Sequence, residues 1–425
     1  MRGSPKGLKS HYDDIWLVEG VRTPFAEYNT VLGLISPIDL GIKVAREVLR
    51  RADISPDQID TVIAGNMAQA CFDAYLLPRH IAIYSGVPIE VPAHLVQRVC
   101  GTGMEVILQA ADQVKLCKAE VVLGVGTESM TRNPVAAYTH RGGFRMGQVE
   151  FKDFLWEALL DPCANVTMGG TAESLALSYR ISRQDVDCLA AESFARALAA
   201  QQSGFLKGEI VPVISEPFER SGYNARGIRL PRGVESLSED SHIRPSPLDV
   251  LSKLPPAFGG VQTGGNSSGI VDGAAAAVVA SGDYARGANK APLARVVAGV
   301  AIGVPPEIMG IGPVTAIRSL LEWQGMTLDQ IDRFEINEAF GAQILACERE
   351  LGLNHGKVNV NGGAIAIGHP LAATGIRLAV TLARELKRSA SRYGICSACI
   401  GGGQGIALLI ENTAGNSRAG TNLPA

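Results

Sequence analysis

The sequence has few aromatic residues, a modest share of charged residues and no long apolar run. Aromatic residues make up 5% and charged residues 19% of the 425 positions, beside 46% hydrophobic residues and 48 glycines. The longest apolar run, GAAAAVVA at 273–280, is far too short to span a bilayer. The net charge of −3 gives no reason to expect nucleic acid as a partner. This composition predicts an α/β enzyme with a large core rather than a disordered or fibrous chain.

Spacings typical of disulfide frameworks and metal sites are also missing. The eight cysteines have no regular spacing, which fits a reducing compartment, and the histidines show no metal-ligand spacing. The leader at 1–14 has basic residues but no apolar segment after them, so we predict a disordered start. The polar tail at 413–425 is also predicted to be disordered. We therefore expect a cytoplasmic protein with no metal ion and no membrane partner.

The two halves of the chain repeat one pattern. The tetrapeptide Asp-Gln-Ile-Asp occurs at 57–60 and again at 329–332. Each copy follows a helix-like segment and precedes a short apolar strand that ends at an asparagine, Asn66 or Asn337. A glycine-rich bend, a second helix and a second strand follow in both halves. The shared order predicts a duplicated α/β fold.

A segment at about 132–250 interrupts this rhythm and is predicted to be an inserted loop domain. It contains one clear helix, for which Ser182 is the expected N-cap and Gly204 the expected stop. The repeat then divides the chain into an N-terminal half at 14–285, which includes the insert, and a C-terminal half at 286–412. Two mixed sheets with their bends at a shared interface predict a pocket between the halves.

Cys100 lies in one glycine-rich bend, between an expected strand end and an expected helix start. A thiolate is the reactive form of cysteine, and a helix N-terminus favours it. The following Gly101 and Gly103 allow close backbone approach, so the amide of Cys100 itself is a candidate oxyanion donor. The alternative is a structural role, because free cysteine is among the most buried residue types.

His369 lies in a second bend, before Pro370 and at the start of an expected helix. The positive end of that helix disfavours imidazolium, so a neutral ring is expected that can take the proton of Cys100. The remaining histidines are predicted to have surface roles or satisfied core roles: His11, His80, His94, His140, His242 and His355.

Cys399 lies in a third bend and precedes three glycines, whose amides, that of Gly401 included, are free to face an oxyanion. Cys396 and Cys399 form C-x-x-C, so a redox pair is an alternative, whereas zinc would need a second pair of ligands. Asn337 at a strand end can hold a water or a carbonyl group. Ser268 in a glycine-serine loop can bond an amide of a long ligand or cap a turn.

Seven motifs resemble the thiolases, in the family's order and from about Asp14 to Glu411. They are QRVCGTGM, GTESMTRNP, MGGTAES, GGNSSGIVDGAAA, INEAFGAQ, NVNGGAIAIGHP and SACIGGGQG. Other segments look most like the mitochondrial-type 3-ketoacyl-CoA thiolases and the acetyl-CoA acetyltransferases. The resemblance implies a duplicated five-layered αβαβα fold with an inserted loop domain.

The resemblance also implies a role for each reactive residue. Cys100 would be the nucleophile that takes the acyl group. Cys399 would be the acid that protonates the departing acetyl-CoA enolate and the base that activates the incoming CoA. His369 would activate Cys100 and, with a water held by Asn337, stabilise the enolate oxygen. The amides of Cys100 and Gly401 would form a second oxyanion hole.

CoA is implied as a co-substrate, with no permanently bound cofactor. Ser268 would contact the pantetheine, and the tunnel around it would be lined by Met168, Phe258, Met309 and Phe340. Arg220 belongs to an arginine-rich part of the insert, which is the best local cluster for phosphates or, alternatively, a solvated surface. The family resemblance further implies a homodimer or homotetramer.

The chain departs from the family pattern at five positions near the bends: Gln97, Thr167, Val271, Ala372 and Thr374. They change side-chain size without removing a reactive group, so altered substrate fit is expected. The predicted reaction is reversible CoA-dependent cleavage of a 3-ketoacyl-CoA, or the reverse condensation. The alternatives are a related condensing synthase and a catalytically silent acyl-CoA or lipid binder.

Overall fold

The computed structural model describes residues 6–68, 73–137 and 141–414. The strands are β1 Leu8–Arg22, β2 Ala26–Glu27, β3 Thr61–Gly65, β4 Ala93–Val96, β5 Val121–Glu128, β6 Val135–Ala137, β7 Phe151–Asp153, β8 Leu160–Asp161, β9 Val166–Thr167, β10 Val213–Ile214, β11 Glu216–Phe218, β12 Arg226–Ile228, β13 Ser236–Leu237, β14 Val271–Ser281, β15 Ala294–Gly303, β16 Arg333–Ile336, β17 Tyr393–Ile400 and β18 Gln404–Glu411. The α-helices are α1 Pro37–Ala52, α2 Leu77–Tyr84, α3 Thr102–Lys115, α4 Phe154–Glu157, α5 Met168–Ser178, α6 Arg183–Gln202, α7 Leu248–Leu251, α8 Gly282–Gly287, α9 Gly312–Gln324, α10 Gly341–Leu351, α11 Ala364–Ile367 and α12 Leu371–Arg388. Across these three described ranges, we find no helix with the length and apolarity that a membrane span requires.

The main sheet joins the strands of both halves. Its order is β16-β17-β18-β15-β1-β14-β5-β3-β4, and β2 pairs with β14. The long strand β1 makes the connection, because it pairs antiparallel with β14 of the N-terminal half and with β15 of the C-terminal half. The two mixed sheets predicted from the repeat are therefore hydrogen-bonded to each other through β1. All eight residues of β5 and of β17 are buried, as expected for strands covered on both faces.

Helices and sheet form the predicted five layers. Helices α3 and α12 contact each other and lie between the two parts of the sheet: α3 packs on β5 and β18, and α12 on β5 and β17. Helices α1 and α2 cover the outer face of the N-terminal strands, and α9 covers that of the C-terminal strands. The duplicated αβαβα fold is thus confirmed.

The tetrapeptide repeat has the same structure in both halves. Each copy begins with a 3-10 turn closed by a capping box, with Ser55 as the cap in one half and Thr327 in the other. The last aspartate of each copy then binds the neighbouring strand. Asp60 accepts two backbone N–H bonds at the start of β5, and Asp332 accepts two at the start of β17. The repeat therefore reflects a duplicated structural unit.

The segment predicted to be an inserted loop domain contains the short strands β6 to β13 and the helices α4 to α7. Its main helix, α6, is capped by Ser182 through a capping box, and Gly204 behind it has a φ of 77°. The prediction of a disordered leader at 1–14 is wrong from Leu8 onward, because β1 starts there and pairs with β15. The tail predicted to be disordered, 413–425, lies outside the described residues except for 413–414.

Helices α3 and α12 come into backbone contact at their N-terminal ends. A Cβ atom on Gly375 would lie 2.1 Å from the backbone N of Met104, and one on Gly103 would lie 2.7 Å from the carbonyl O of Ala372. Glycine permits this approach since it has no side chain. The contact brings the residues just before the two helices, Cys100 and His369, to the same end of the central layer.

Replacing Gly375 by alanine is expected to lower the free energy of unfolding by about 3 kcal/mol, because a Cβ against a backbone atom forces the two helices apart. The measurement is urea unfolding. Gly287→Ala is the matched control, since that helical glycine has open space around it, and a change within about 0.5 kcal/mol is expected there. Equal unfolding midpoints for the two variants would contradict this account of the helix contact.

Candidate active site

Cys100 lies in the 3-10 turn Val99–Gly101, which leads directly into α3. Val99, a β-branched residue, has a φ of 45°, a conformation that such residues rarely adopt. This strain bends the chain sharply at the cysteine, and strained backbone of this kind concentrates at functional sites. Cys100 is buried and packs with Met67 and Met130, in an apolar cluster that also contains Leu155 and Leu371.

Burial raises the pKa of the Cys100 thiol to about 11, against the helix N-terminus that favours a thiolate. The backbone N–H groups of Gly401 and of Cys100 itself bond the sulfur and oppose the rise, and the negative charge of Glu128 adds to it. Burial dominates because charge is costly to hold away from water. Cys100 therefore rests as a thiol and must lose its proton during the reaction.

His369 is fixed by hydrogen bonds on both ring nitrogens. Its Nδ1 lies 2.6 Å from Oγ1 of Thr374, which in turn donates to the carbonyl O of Pro370 at 3.0 Å. The Thr374 oxygen is therefore the acceptor of the Nδ1 proton, and Nε2 keeps its lone pair. Burial, with the charge of Arg377 as a second cause, lowers the pKa of His369 to about 3. The neutral imidazole predicted from the sequence agrees with this environment.

Asn337 follows β16 and directs its side chain at His369. Its Nδ2 lies 3.3 Å from Nε2 of His369, while its Oδ1 is buried and has no partner within the described part of the chain. A buried carbonyl oxygen without a partner favours a bound water or a ligand donor. The backbone N–H of Asn337 donates to Ser397 of the neighbouring strand, which holds the residue in place.

Cys399 lies inside β17, one residue from its end, rather than after the strand as predicted. Burial raises its pKa well above the ordinary value, and the proximity of Cys100 raises it further. The two cysteines are therefore close enough to influence each other. Cys396 is buried in the same strand and donates its thiol to the carbonyl O of Leu408. The two cysteines of the C-x-x-C motif therefore lie in different environments, Cys396 in the main core and Cys399 in the cluster with Met168 and Met309, which does not favour a redox pair.

A cavity of about 520 Å³ opens beside His369, and residues that pack with Cys100 and Cys399 form part of its wall. Four residues that the sequence analysis assigned to CoA line it together with His369: Met168, Phe258, Ser268 and Phe340. Met309 is buried behind the wall, in one apolar cluster with Met168 and Cys399. Thr167, one of the departures from the family pattern, also lines the cavity and caps α5 with its hydroxyl.

The loop that carries Ser268 is tied to the reactive bends by backbone bonds. The N–H of Ser268 donates to the carbonyl O of Ala339, and the N–H of His369 donates to that of Gly269. Phe258 and Phe340 meet edge to face with ring centroids 6.1 Å apart. This part of the cavity wall is therefore built against the elements that hold Asn337 and His369.

Arg220 is not among the residues that line the cavity. It lies in the connection between β11 and β12, a hairpin that packs on α1. A neighbouring arginine of the proposed phosphate cluster, Arg226, pairs with Asp39 and Asp73 and so has a structural role. The assignment of Arg220 to CoA remains a prediction from the sequence.

Glu128 is a residue of the site that the sequence analysis missed. Its buried carboxylate accepts the backbone N–H groups of Met67 and Ala68 from the N-terminal half and that of Ala372 from the start of α12. Burial raises its pKa to about 7, against the effect of these donors. Glu128 ties the loops of both halves around Cys100. Its signal in the sequence is a single acid at the end of the apolar run that forms β5.

The raised pKa of the Cys100 thiol predicts the pH dependence of its alkylation. We expect the reaction of Cys100 with iodoacetamide to accelerate about tenfold per pH unit from pH 7 to pH 9, because the thiolate fraction grows below the pKa of about 11. The peptide that contains Cys100 must be quantified by mass spectrometry, since Cys117, Cys163 and Cys188 are exposed. A constant rate from pH 6 to pH 8 would instead indicate a preformed thiolate.

Two family models match the chain. "Thiolase, N-terminal domain" matches residues 15–283, and "Thiolase, C-terminal domain" matches residues 290–412. Mitochondrial 3-ketoacyl-CoA thiolase of Bos taurus is 41% identical over 94% of this chain and 98% of its own. Beta-ketothiolase BktB of Cupriavidus necator is 40% identical over 94% of this chain and 99% of its own.

Solved structures agree with these matches. Human mitochondrial 3-ketoacyl-CoA thiolase in complex with CoA superposes with a TM-score of 0.89 at 39% identity, and the match covers 95% of this chain and 100% of that one. The acetyl-CoA acetyltransferase of Bacillus anthracis superposes with a TM-score of 0.86 at 39% identity, over 94% of this chain and 99% of that one.

Proposed function

Because the chain belongs to the thiolase family of acyltransferases, we propose that it cleaves 3-ketoacyl-CoA with CoA to acetyl-CoA and a shortened acyl-CoA, reversibly and through an acyl-enzyme. One observation carries the proposal. Two thiols, Cys100 and Cys399, lie close to each other at a site that also holds the neutral His369 and Asn337. A silent binder would need none of this acid-base chemistry.

In the first half of the proposed reaction, Nε2 of His369 takes the thiol proton as the sulfur of Cys100 attacks the C3 carbonyl. The N–H groups of Cys100 and Gly401, which bond the resting sulfur, are available to the oxyanion that forms there. The C2–C3 bond then breaks, and Cys399 protonates C2 of the departing acetyl-CoA enolate. The enolate oxygen accepts hydrogen bonds from the protonated His369 and from a water, and that water also donates to the Oδ1 of Asn337, which no described residue binds.

In the second half, Cys399 takes the thiol proton of incoming CoA. The CoA sulfur attacks the acyl thioester on Cys100, and the shortened acyl-CoA leaves as the cysteine recovers its proton. Protonation of the enolate leaves Cys399 as a thiolate, which is the form that takes the CoA proton, and Cys100 recovers its proton from the imidazolium of His369. Both groups are neutral again at the end, so no charge remains in the buried site, where it would be costly. The same steps in reverse form a carbon–carbon bond, so the proposal covers both directions.

CoA is proposed as a co-substrate of the cavity. Its pantetheine would pass Ser268 and the apolar wall formed by Met168, Phe258 and Phe340, and a related thiolase has been solved in complex with CoA. We also propose a homodimer or homotetramer and a cytoplasmic location. The family resemblance supports the oligomer, and the irregular cysteine spacing supports a reducing compartment such as the cytoplasm. The bovine and human relatives are named as mitochondrial proteins.

The test of the proposed function is a thiolysis assay with CoA and 3-ketoacyl-CoA substrates of four to sixteen carbons. We expect loss of the 3-keto thioester and formation of an equal amount of acetyl-CoA. Ping-pong kinetics are expected because the acyl group is covalently bound to the enzyme between the two half-reactions. Binding of acyl-CoA by the folded protein with no turnover at any length would sink the proposal and favour a silent binder.

Thr374 is expected to be a positioning residue for His369. In Thr374→Val the Nδ1–H loses its buried acceptor while the side-chain shape is kept, which costs about 1–3 kcal/mol and predicts an approximately 10- to 100-fold lower kcat. Thr374→Ser restores the hydroxyl and is expected to recover most of the activity. The dependence of kcat on pH distinguishes this positioning role from a packing effect. Loss of the bond that fixes the His369 tautomer should shift the acid limb of the profile in the valine variant and not in the serine variant. Equal kcat for the valine and serine variants would exclude the role.

A further inference from the structure

We propose that Glu128 is a positioning residue whose ionised carboxylate fixes the bends of Cys100 and His369, and that its protonation releases them and lowers turnover. Glu128 is the last residue of β5, is fully buried and does not line the cavity. It therefore acts through the residues around the two reactive groups rather than on the substrate. The proposal rests on the proposed thiolase function and adds a pH-sensitive residue to the same site.

The Glu128 carboxylate accepts four N–H groups, two on each oxygen. Its Oε1 accepts the side-chain N–H of Asn66 at 3.1 Å and the backbone N–H of Ala68 at 3.2 Å. Its Oε2 accepts the backbone N–H of Met67 at 3.0 Å and that of Ala372 at 3.2 Å. The first three donors belong to the loop after β3, and the fourth belongs to the first turn of α12. One carboxylate thus joins loops from both halves of the chain.

On the side of His369, Glu128 serves as the cap that α12 lacks. Pro370 occupies the N-cap position and gives no side-chain hydrogen bond, and the N–H of Ala372 has no acceptor within the helix. Glu128 supplies that acceptor, and its negative charge is favourable at the positive end of a helix. The same helical turn carries Thr374, whose hydroxyl accepts the Nδ1 proton of His369. The bond to Ala372 therefore holds the turn that orients the imidazole.

On the side of Cys100, Glu128 fixes the backbone of Met67. The side chain of Met67 is buried in the apolar cluster that contains Cys100, and Leu371 belongs to the same cluster. Leu371 directly precedes the tethered Ala372, so each of the two joined loops contributes one residue to the packing around the thiol. Movement of either loop would change the position of the thiol relative to the imidazole.

Protonation of Glu128 is incompatible with this set of bonds. Each oxygen already faces two N–H donors, so the oxygen that takes a proton becomes a donor itself and loses at least one of them. Burial, with the charge of Asp272 on the neighbouring strand β14 as a smaller cause, raises the pKa of Glu128 to about 7. Cys100 before α3 and His369 before α12 stay neutral between pH 6 and pH 8, because their pKa values are about 11 and about 3. The proton gained in this range therefore belongs to Glu128.

The test compares Glu128→Gln with Glu128→Asp by the dependence of kcat on pH at saturating substrates. In the unmodified protein kcat should fall about tenfold from pH 8 to pH 6, as expected for one essential group with a pKa of about 7. Glu128→Gln keeps the shape but turns an NH₂ group toward two N–H donors. Its kcat should be about tenfold or more lower at pH 8 and should not change further down to pH 6.

Glu128→Asp keeps a carboxylate with a shorter reach, so its kcat should be lower but should still fall on acidification. KM should stay within about threefold in both variants, because Glu128 does not line the cavity. Glu120→Gln is the matched control, since Glu120 is exposed directly before the start of the same strand. Its kcat and pH profile should equal those of the unmodified protein.

Hydrogen–deuterium exchange, followed by mass spectrometry, gives a readout that does not require turnover. The peptides to follow are those that contain residues 67–68 and Ala372. Their protection, corrected for the intrinsic pH dependence of exchange, should fall from pH 8 to pH 6 in the unmodified protein, because local opening exposes the N–H groups. In Glu128→Gln it should be low at both pH values.

The outcomes distinguish this inference from the proposed function. An unchanged kcat in Glu128→Gln, or a fall between pH 8 and pH 6 that this variant retains, overturns the role of Glu128 while thiolysis stands. Absence of turnover with every 3-ketoacyl-CoA sinks the proposed function, and protection that neither pH nor the glutamine changes then overturns this inference separately. Should Glu128→Gln fail to fold, the unmodified protein and Glu128→Asp decide, because a kcat that stays constant from pH 8 to pH 6 contradicts the proposal.

Discussion

Cys100→Ser is expected to abolish covalent labelling by acyl-CoA and to lower turnover by about 10⁴-fold or more. Serine keeps the shape of the side chain and fits the same turn, so the N–H groups of Cys100 and Gly401 stay in place. Its hydroxyl, however, is far less acidic than a thiol. Proton transfer to His369, whose pKa is lowered by burial, is therefore much less favourable from serine than from cysteine. The measurement is the mass of the intact protein after incubation with a saturated acyl-CoA, beside the steady-state rate.

Cys188→Ser is the control for this experiment, since Cys188 is exposed on α6 and does not line the cavity. Labelling and turnover should both be unchanged there. Acyl label that persists in Cys100→Ser and maps to another cysteine would refute the assignment of the nucleophile. The result also bears on the turn before Cys100. Val99 has an unfavourable φ of 45°, and we attribute this strain to the positioning of Cys100.

Much of this site could be predicted from the sequence because its signals are local. Glycine and proline mark the bends at Cys100, His369 and Cys399, and these residues restrict the backbone whatever surrounds them. The repeated Asp-Gln-Ile-Asp likewise forms a local turn, and Asp60 and Asp332 make the same strand contacts in both halves. Local chemistry of this kind was sufficient to predict the duplication and the neutral imidazole.

The features that were missed depend on contacts between distant parts of the chain. β1 joins the strands of both halves by pairing with β14 and β15, which lie more than 240 residues away. Glu128 connects the two halves because it accepts the N–H of Ala372, which is 244 residues away in the sequence. The resting thiol is also a tertiary effect, because the burial that raises the pKa of Cys100 outweighs the helix N-terminus that the sequence indicates.

Cys399→Ala is expected to separate acylation of Cys100 from turnover. The variant should still accept an acyl group on Cys100, because the nucleophile, His369 and the oxyanion donors remain. Turnover should fall by about 10²- to 10⁴-fold, the usual contribution of general acid-base catalysis, since neither the enolate nor the incoming CoA has a proton partner. The raised pKa of Cys399 fits this role, because only a protonated thiol can donate to C2 of the enolate.

The decisive measurement is made before the steady state, with rapid quenching and mass analysis of the protein. Cys100 should still become labelled by a saturated acyl-CoA in Cys399→Ala, although more slowly because Cys399 no longer protonates the departing CoA thiolate, while the rates of thiolysis and condensation both fall. Cys396→Ala, three residues earlier in the same strand, is the matched control. Its thiol donates to the carbonyl O of Leu408 within the main hydrophobic core, whereas Cys399 packs in one cluster with the cavity residue Met168. Unimpaired turnover in Cys399→Ala would remove this thiol from the mechanism. Another group would then have to move the proton at C2, and His369 is the neighbour left to do so.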